Sequence, residues 1–427
     1  MSGQFDETTP FLAPSSYPLT HATRFLSTLT MISRRNFLAV LGSAAVLAAA
    51  PGPIRITSVK AAPFPLLGTE RFGRSDFKGD YDPARRRWFG PFSQLAGSIL
   101  VQIRTDAGLT GYGLGGGGGA ACYIIDNHIK DLLIGADARN VEMLWEQIFS
   151  STSFYGRKGL AIMALSGIDL ALWDLAGKAA NQPVWQLLGG TVKDKVRAYI
   201  TGPDIDLGLQ LGFTAFKYPA TVSPADGPAA MRKFASRLIE VRRQIGPDAL
   251  LMIDCLCRWD IDYTLRFADL AAEARLHFIE EPVLPDDLPA YERLCREIKG
   301  ARIATGEHEF THYGFDILLR RNAAHFLQPD LTWSGGLTTG RRVAAAARHY
   351  AVPVIPHRGG SVYGIQLIIS HTNCPLAESF GTGEPGNELM ALMTAPFEKG
   401  YYLPTEGPAF GAEFPAGLLK KHAPSLV

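Results

Sequence analysis

Leu-Leu-Met-Ile-Asp at 250–254, His-Phe-Ile-Glu-Glu at 277–281, Arg-Ile-Ala-Thr-Gly-Glu at 302–307, His-Phe-Leu-Gln-Pro-Asp at 325–330 and Pro-Val-Ile-Pro-His at 353–357 share one form. Each is a short apolar run closed by a residue that can carry chemistry. The closing residues Asp254, Glu280, Glu307, Asp330 and His357 are separated by 26, 27, 23 and 27 positions. A strand, its loop and a return helix use about that much chain, so the stretch reads as successive βα units. Chemistry at the carboxyl end of each strand is the arrangement of a (β/α)8 barrel.

Outward from this ladder, residues 195–201 and 213–218 supply two earlier strands, with Lys217 near the end of the second. Residues 375–380, containing Glu378, supply one more, which completes a count of eight. Amphipathic stretches at 230–245, 263–274 and 339–350 fill the gaps as helices. Ahead of the barrel, residues 54–61, 97–104 and 109–113 read as strands, the last two joined through the turn Asp106-Ala107-Gly108. A polar, arginine-rich loop occupies 70–87, and 160–180 has the pattern of a long buried helix. The organisation expected is an α+β capping domain over 54–190, a (β/α)8-type barrel over 191–385, and a Gly/Pro-rich segment, 386–427, returning to the cap.

Residues 1–53 stand outside this scheme. The first 30 are polar and aperiodic and are expected to be disordered. Ser33-Arg34-Arg35-Asn36-Phe37-Leu38 and the apolar run after it resemble a twin-arginine export signal, so the expected location is the periplasm; a cytoplasmic protein with a misassigned start is the alternative. That apolar run is too short for a stable membrane span.

Composition removes several classes. With 42 basic and 41 acidic residues in 427, there is no charge excess to recruit nucleic acid. Five cysteines are too few and odd in number for a disulfide framework, and Cys255 and Cys257 have no second pair with which to build a zinc ribbon. They read as buried small hydrophobes at a strand end.

A barrel brings Asp254, Glu280 and Glu307 together from three successive strand ends. Three carboxylates in one place repel unless a cation neutralises them, and an all-oxygen set favours a hard ion, Mg2+ first. Asp330 and His357 follow on neighbouring strands; a carboxylate on one ring nitrogen fixes the imidazole tautomer and raises its basicity. Rival motifs are weaker. His308-Glu309-Phe310-Thr311-His312 fits the H-E-x-x-H of zinc proteases, which needs both histidines on one helix face. Here it follows a strand, and Tyr313-Gly314 is expected to close it after one turn. Gly113–Gly118 fits G-x-G-x-x-G but follows an antiparallel hairpin, so its glycine run is expected to be a mobile loop rather than a dinucleotide site. Gly359-Gly360-Ser361-Val362-Tyr363 lacks the final glycine of a nucleophile elbow.

On these residues, together with Ala-Leu-Ser-Gly-Ile-Asp-Leu-Ala-Leu-Trp-Asp at 164–174, Ile279-Glu280-Glu281-Pro282 and Thr305-Gly306-Glu307-His308, the chain resembles the enolase superfamily. The likeness is to its mandelate racemase group, and within that to the rhamnonate dehydratases. The resemblance implies a modified barrel under an α+β cap, Mg2+ on Asp254, Glu280 and Glu307, and a sugar acid as substrate. It also implies His357 as base and then acid, oriented by Asp330, with Glu378 opposite, beside the enediolate oxygen; Lys217 is expected to stabilise the enediolate together with the metal. Arg87 and His308 are the candidate substrate contacts, and a homo-oligomer is implied by resemblance alone. Two departures narrow the expectation. Lys217-Tyr218-Pro219 places proline where racemases carry a second lysine, which favours one-base dehydration over two-base racemisation. Residues 62–96 contain no histidine, although rhamnonate dehydratases offer one from the capping loop, so the particular sugar stays open. The alternatives are another activity of the superfamily, a different aldonate dehydratase or a racemase, and a non-catalytic exported sugar-acid-binding protein.

Overall fold

The computed structural model describes residues 52–66, 97–379 and 388–427. The export-signal segment and the capping loop with Arg87 lie outside the described residues. From Pro53 onward the chain forms one compact unit.

Three antiparallel strands, β1 (Ile56–Pro63), β2 (Ile99–Thr105) and β3 (Thr110–Gly115), form a small sheet in sequence order. Its third strand reads Thr-Gly-Tyr-Gly-Leu-Gly, with glycine at every second position. Because side chains alternate across a strand, Gly111, Gly113 and Gly115 share one face. That face lies directly on the helix Leu160–Ala180. A Cβ at Gly113 would stand 2.2 Å from the Gly167 carbonyl oxygen, and one at Gly111 2.3 Å from that of Ala171. The helix answers at i, i+4 spacing with Met163, Gly167 and Ala171. The strand and helix therefore meet backbone to backbone, a distance only glycine permits. This corrects the reading of the glycine run as a mobile loop. Gly115 ends β3, Gly116 is buried, and Gly117, at φ 87°, turns the chain into the helix Gly118–Ile124. The helix Leu160–Ala180 is long and apolar enough to cross a membrane, but 83% of its most apolar window is buried in the fold, which makes it a core helix.

The second sheet is the barrel. Its strands β4 (Val196–Thr201), β5 (Ala215–Pro219), β6 (Leu250–Asp254), β7 (Ile279–Glu280), β8 (Ile303–Thr305) and β9 (Phe326–Leu327) run parallel in order, and β10 (Leu376–Ser379) pairs back onto β4. Between β9 and β10 the expected seventh strand is reduced to a single parallel bridge, Leu327 to Val354. Pro353 and Pro356 flank that bridge and have no N–H to donate, so the ladder cannot extend. Closure is visible from inside: Tyr199, Ala215, Met252, Phe278, Ala304, Phe326, Ile355 and Leu376 form one buried cluster, a single residue from each of the eight positions around the ring. The architecture is a (β/α)8-type barrel with an α+β cap. Past β10 the chain adds the hairpin β11 (Phe397–Glu398) and β12 (Tyr401–Tyr402), whose second strand pairs with Val196 and Arg197 at the start of β4. It ends on the small sheet, where Gln102 Nε2 donates to the Leu426 carbonyl at 3.0 Å.

Candidate active site

Side chains two residues apart on a strand point the same way, so the layer above the inner cluster follows from it by counting. Two positions after Tyr199, Ala215, Met252, Phe278, Phe326, Ile355 and Leu376 come Thr201, Lys217, Asp254, Glu280, Gln328, His357 and Glu378. Every one carries a polar group, and together they line the carboxyl-end mouth of the barrel. The eighth place falls on Gly306, at φ +129°, where a Cβ would meet the Phe315 ring at 2.7 Å. The chain bends there and delivers Glu307 one residue later.

Asp254, Glu280 and Glu307 place their carboxylate oxygens within 4.8 Å of one another. All three are buried. Burial pushes the Asp254 carboxyl up to about 6, with Lys217 opposing and Glu307 reinforcing the shift. Burial also drives Glu280 well above the usual range, against the pull of Lys217 and with the push of Asp254. A divalent cation would relieve both burdens, and three carboxylates with no softer donor suit Mg2+. Lys217 is the cation the fold itself supplies. Its Nζ lies 2.6 Å from Glu280 Oε1 and 2.6 Å from Glu378 Oε1, with the side chain 1% exposed. Burial works against its charge, but Glu280 and Glu378 raise its pKa well above normal. Lys217 thus acts on the mouth through the two carboxylates it bridges.

His357 donates Nδ1–H to Asp330 Oδ2 at 2.6 Å, and Asp330 Oδ1 is held by the Thr332 N–H and hydroxyl, both at 2.6 Å. Nε2 of His357 therefore faces the mouth, 3.6 Å from Glu307 Oε1 and 4.0 Å from Glu378 Oε2. Burial disfavours the imidazolium, but Glu307, the Asp330 bond and Glu378 raise the His357 pKa overall. Glu378 accepts from the Thr201 hydroxyl at 2.6 Å and from the Arg358 N–H at 2.9 Å. Burial would raise its pKa, but Lys217 and His357 outweigh burial and bring it down to about 2.

His308 has a parallel arrangement. Its Nδ1 meets Glu281 Oε2 at 2.7 Å, and its Nε2 lies 3.8 Å from the same Glu307 oxygen that His357 faces. Burial lowers and Glu281 raises its pKa, which ends at about 9. The H-E-x-x-H reading fails on geometry, and the expected one-turn closure at Tyr313-Gly314 fails with it: the helix runs Thr311–Arg320, beginning near where an end was expected. His308 precedes this helix while His312 sits in its first turn against Trp145, so the two never share a face.

Of the residues named from sequence, Asp254, Glu280, Glu307, Asp330, His357, Lys217, Glu378 and His308 converge on this mouth; Arg87 lies outside the described residues. Sequence reasoning noted Glu281 at a strand end without giving it a role, and missed Thr201, Gln328, Arg358 and Trp333. Gln328 donates to Glu280 Oε2 at 2.6 Å. The Trp333 ring lies 5.5 Å from the His357 ring and 5.8 Å from that of His308, with the Arg358 guanidinium 5.1 Å above it. Thr201 and Gln328 were findable from the two-residue count. Trp333 was not, because it rides a loop. That loop is anchored by the motif at 164–174. Ser166 accepts from the Gly335 N–H at 2.8 Å, Asp169 accepts from the Thr338 N–H at 3.0 Å, and Trp173 donates to the Thr338 hydroxyl at 2.9 Å.

The sequence matches the family described as mandelate racemase / muconate lactonizing enzyme, N-terminal domain, over residues 92–189, and enolase C-terminal domain-like over 207–416. An L-rhamnonate dehydratase of Saccharopolyspora erythraea is 38% identical over 296 residues, 69% of this chain and 75% of that protein. A Caldivirga maquilingensis protein with a provisional name for the same activity is 40% identical over 299 residues, 70% and 74% of the two chains. Among solved structures, rhamnonate dehydratase from Gibberella zeae complexed with Mg superposes at a TM-score of 0.76 with 32% identity, covering 88% of this chain and 98% of that one. The 3,6-anhydro-D-galactonate cycloisomerase of Zobellia galactanivorans superposes at 0.71 with 26% identity, covering 86% and 99%.

Proposed function

Since the chain belongs to the mandelate racemase / muconate lactonizing enzyme group of the enolase superfamily, we propose that it is a Mg2+-dependent dehydratase of a sugar acid. The reaction removes the hydrogen α to the carboxylate and the β-hydroxyl as water, leaving a 2-keto-3-deoxy acid. The observation that carries this reading is the His357–Asp330 pair, whose Nε2 stands 3.6 Å from one of three clustered acids. The relatives named for L-rhamnonate dehydration support the substrate class.

Asp254, Glu280 and Glu307 are the residues that would hold the ion. When bound, it would draw charge from a substrate carboxylate and so acidify the neighbouring C–H. Asp330 keeps the His357 proton on Nδ1, which leaves Nε2 to take the α-proton. Once protonated at Nε2, the imidazolium returns that proton to the β-oxygen as the C–O bond breaks, and water leaves. The resulting enol takes a proton at carbon and becomes the keto acid. Lys217 keeps Glu378 ionised through the cycle and opposes the protonation of Glu280 that burial favours, and His308 is placed to donate to a substrate hydroxyl. With its ammonium held between two carboxylates, Lys217 is badly placed to serve as a second base on the opposite face, which favours elimination over racemisation. The likeness to a cycloisomerase keeps a sister activity as the second reading. The twin-arginine-like segment supports a periplasmic location, which cell fractionation would test.

A panel of aldonic acids incubated with enzyme and Mg2+, then with chelator, and assayed for 2-keto acid tests the reading. Turnover that needs Mg2+ and falls by about 10²–10⁴ in His357→Asn is expected. Turnover of no sugar acid, or an unchanged His357→Asn, defeats it. Deuterium entering the α-position in D2O without keto acid formation would select the sister activity.

A further inference from the structure

We propose that Cys257, Glu281 and His308 form a second metal site, built for a thiophilic divalent ion of the zinc class. The three come from the loops that follow β6, β7 and β8. Their Sγ, carboxylate oxygen and ring nitrogen lie within 4.8 Å of one another. Cys257 Sγ is 3.2 Å from Glu281 Oε2, and His308 Nδ1 is 2.7 Å from the same oxygen. A tetrahedral zinc with sulfur at about 2.3 Å and nitrogen and oxygen at about 2.0 Å separates its ligands by about 3.3–3.5 Å. To admit it, the sulfur and the carboxylate would part by about 0.3 Å and the ring nitrogen and the carboxylate by about 0.6 Å.

Donor chemistry separates this site from its neighbour. Asp254, Glu280 and Glu307 offer oxygen alone, which a hard ion prefers; sulfur, nitrogen and oxygen together select a softer one. Cys257 is 7% exposed and Glu281 1%, while the His308 side chain keeps 18%, so two donors are buried and the third is partly shielded from bulk water. The backbone is already latched here, with the Cys257 N–H donating to the Glu281 carbonyl at 2.7 Å. Without metal, burial and the Glu281 charge keep the thiol protonated. Binding expels the thiol proton and the one on His308 Nδ1 to solvent, and thiolate, carboxylate and neutral imidazole become ligands. His308 is then shared: Nδ1 on the second metal, Nε2 still 3.8 Å from Glu307. An ion here would set the orientation of a ring that faces the active site. The inference does not depend on the dehydratase reading, since it concerns binding of metal alone.

The test uses the full chain, stripped with chelator, saturated with Mg2+ and titrated with Co2+. Expected are one further Co2+ per chain, a thiolate-to-cobalt charge-transfer absorption in the near ultraviolet, and loss of that absorption in Cys257→Ser but not in Cys255→Ser. Absence of the absorption, or its survival in Cys257→Ser, overturns the site. It would leave Cys257, Glu281 and His308 as a hydrogen-bonded strut. Zinc X-ray absorption on the unmutated protein decides independently of any variant: one sulfur at about 2.3 Å is expected, and a shell of nitrogen and oxygen only refutes it.

Discussion

Replacing Lys217 with methionine keeps most of the side chain's volume and removes its charge. In the wild type one ammonium, 1% exposed, lies 2.6 Å from both Glu280 and Glu378. Deleting a buried partner leaves an uncompensated charge, which costs about 3–5 kcal/mol. The chain has a way out, which is to protonate Glu378, the carboxylate that Lys217 holds ionised in the wild type. Starting from a glutamate at 4.5 in the unfolded chain, proton uptake at pH 7 costs about 3.4 kcal/mol at 1.36 kcal/mol per unit. At pH 5.5 the same uptake costs about 1.4 kcal/mol. The sign follows from linkage: the folded variant holds a proton the unfolded chain has lost, so its stability falls as pH rises above 4.5. Lys217→Met should therefore be destabilised by about 3 kcal/mol at pH 7 and by less than half as much at pH 5.5. Added Mg2+ should narrow the difference at pH 7, because it replaces the missing positive charge. Urea unfolding of both proteins at the two pH values, with and without Mg2+, measures it. A difference indifferent to pH and to Mg2+ would show that Lys217 merely fills space, and the electrostatic account would be wrong.

Four further outcomes follow from the same geometry. Gly113→Ala forces a Cβ to 2.2 Å from the Gly167 carbonyl, so thermal or urea unfolding should register a loss of about 3 kcal/mol. Gly119→Ala, with nothing within 4 Å, should stay within about 0.5 kcal/mol of wild type. Burial pushes Asp169 from 3.8 to about 7, so the folded chain keeps that proton after the unfolded one has released it, and wild-type stability falls as pH rises between those values. Asp169→Asn escapes this loss: its stability relative to wild type should climb from pH 4 to pH 7 and then level, by roughly 4 kcal/mol at most. Asp330→Asn preserves shape but cannot hold the His357 proton on Nδ1, so any sugar-acid turnover should fall by about 10³–10⁴ with binding of Mg2+ retained in calorimetry.

The barrel was legible because two simple periods coincide in it. Apolar runs ending in acids repeat at the length of a βα unit, and the inward side chains repeat every second residue. Where the backbone departs from those periods, the sequence was misleading. Glu307 arrives one position late because Gly306 bends the chain, and the run around Val354 looks like a strand although Pro353 and Pro356 hold it to one bridge. Lys217 was legible as a site residue but its partners were not, since Glu280 and Glu378 lie 63 and 161 residues away along the chain. The glycines at 111–119 misled for a different reason. Glycine permits both a loose loop and the closest backbone packing, and only the facing helix, with Met163, Gly167 and Ala171, decides which.

That packing reaches the chemistry by a short route. A Cβ at Gly116 would stand 2.7 Å from Trp333 Cδ1 and 2.9 Å from its Nε1. The indole is thus seated against bare backbone from the cap, while its ring borders the imidazoles of both His308 and His357. Beneath it, Ser166, Asp169 and Trp173 hold the loop that follows Asp330. The helix Leu160–Ala180 therefore sets two distances at once: β3 lies on its glycine-matched side, and the loop carrying Trp333 hangs from its polar one. Any side chain at 116 would displace the indole that borders these two rings. The cap accordingly shapes the site through Trp333 even before substrate contacts are considered, and the glycine run is part of the apparatus that orients His357.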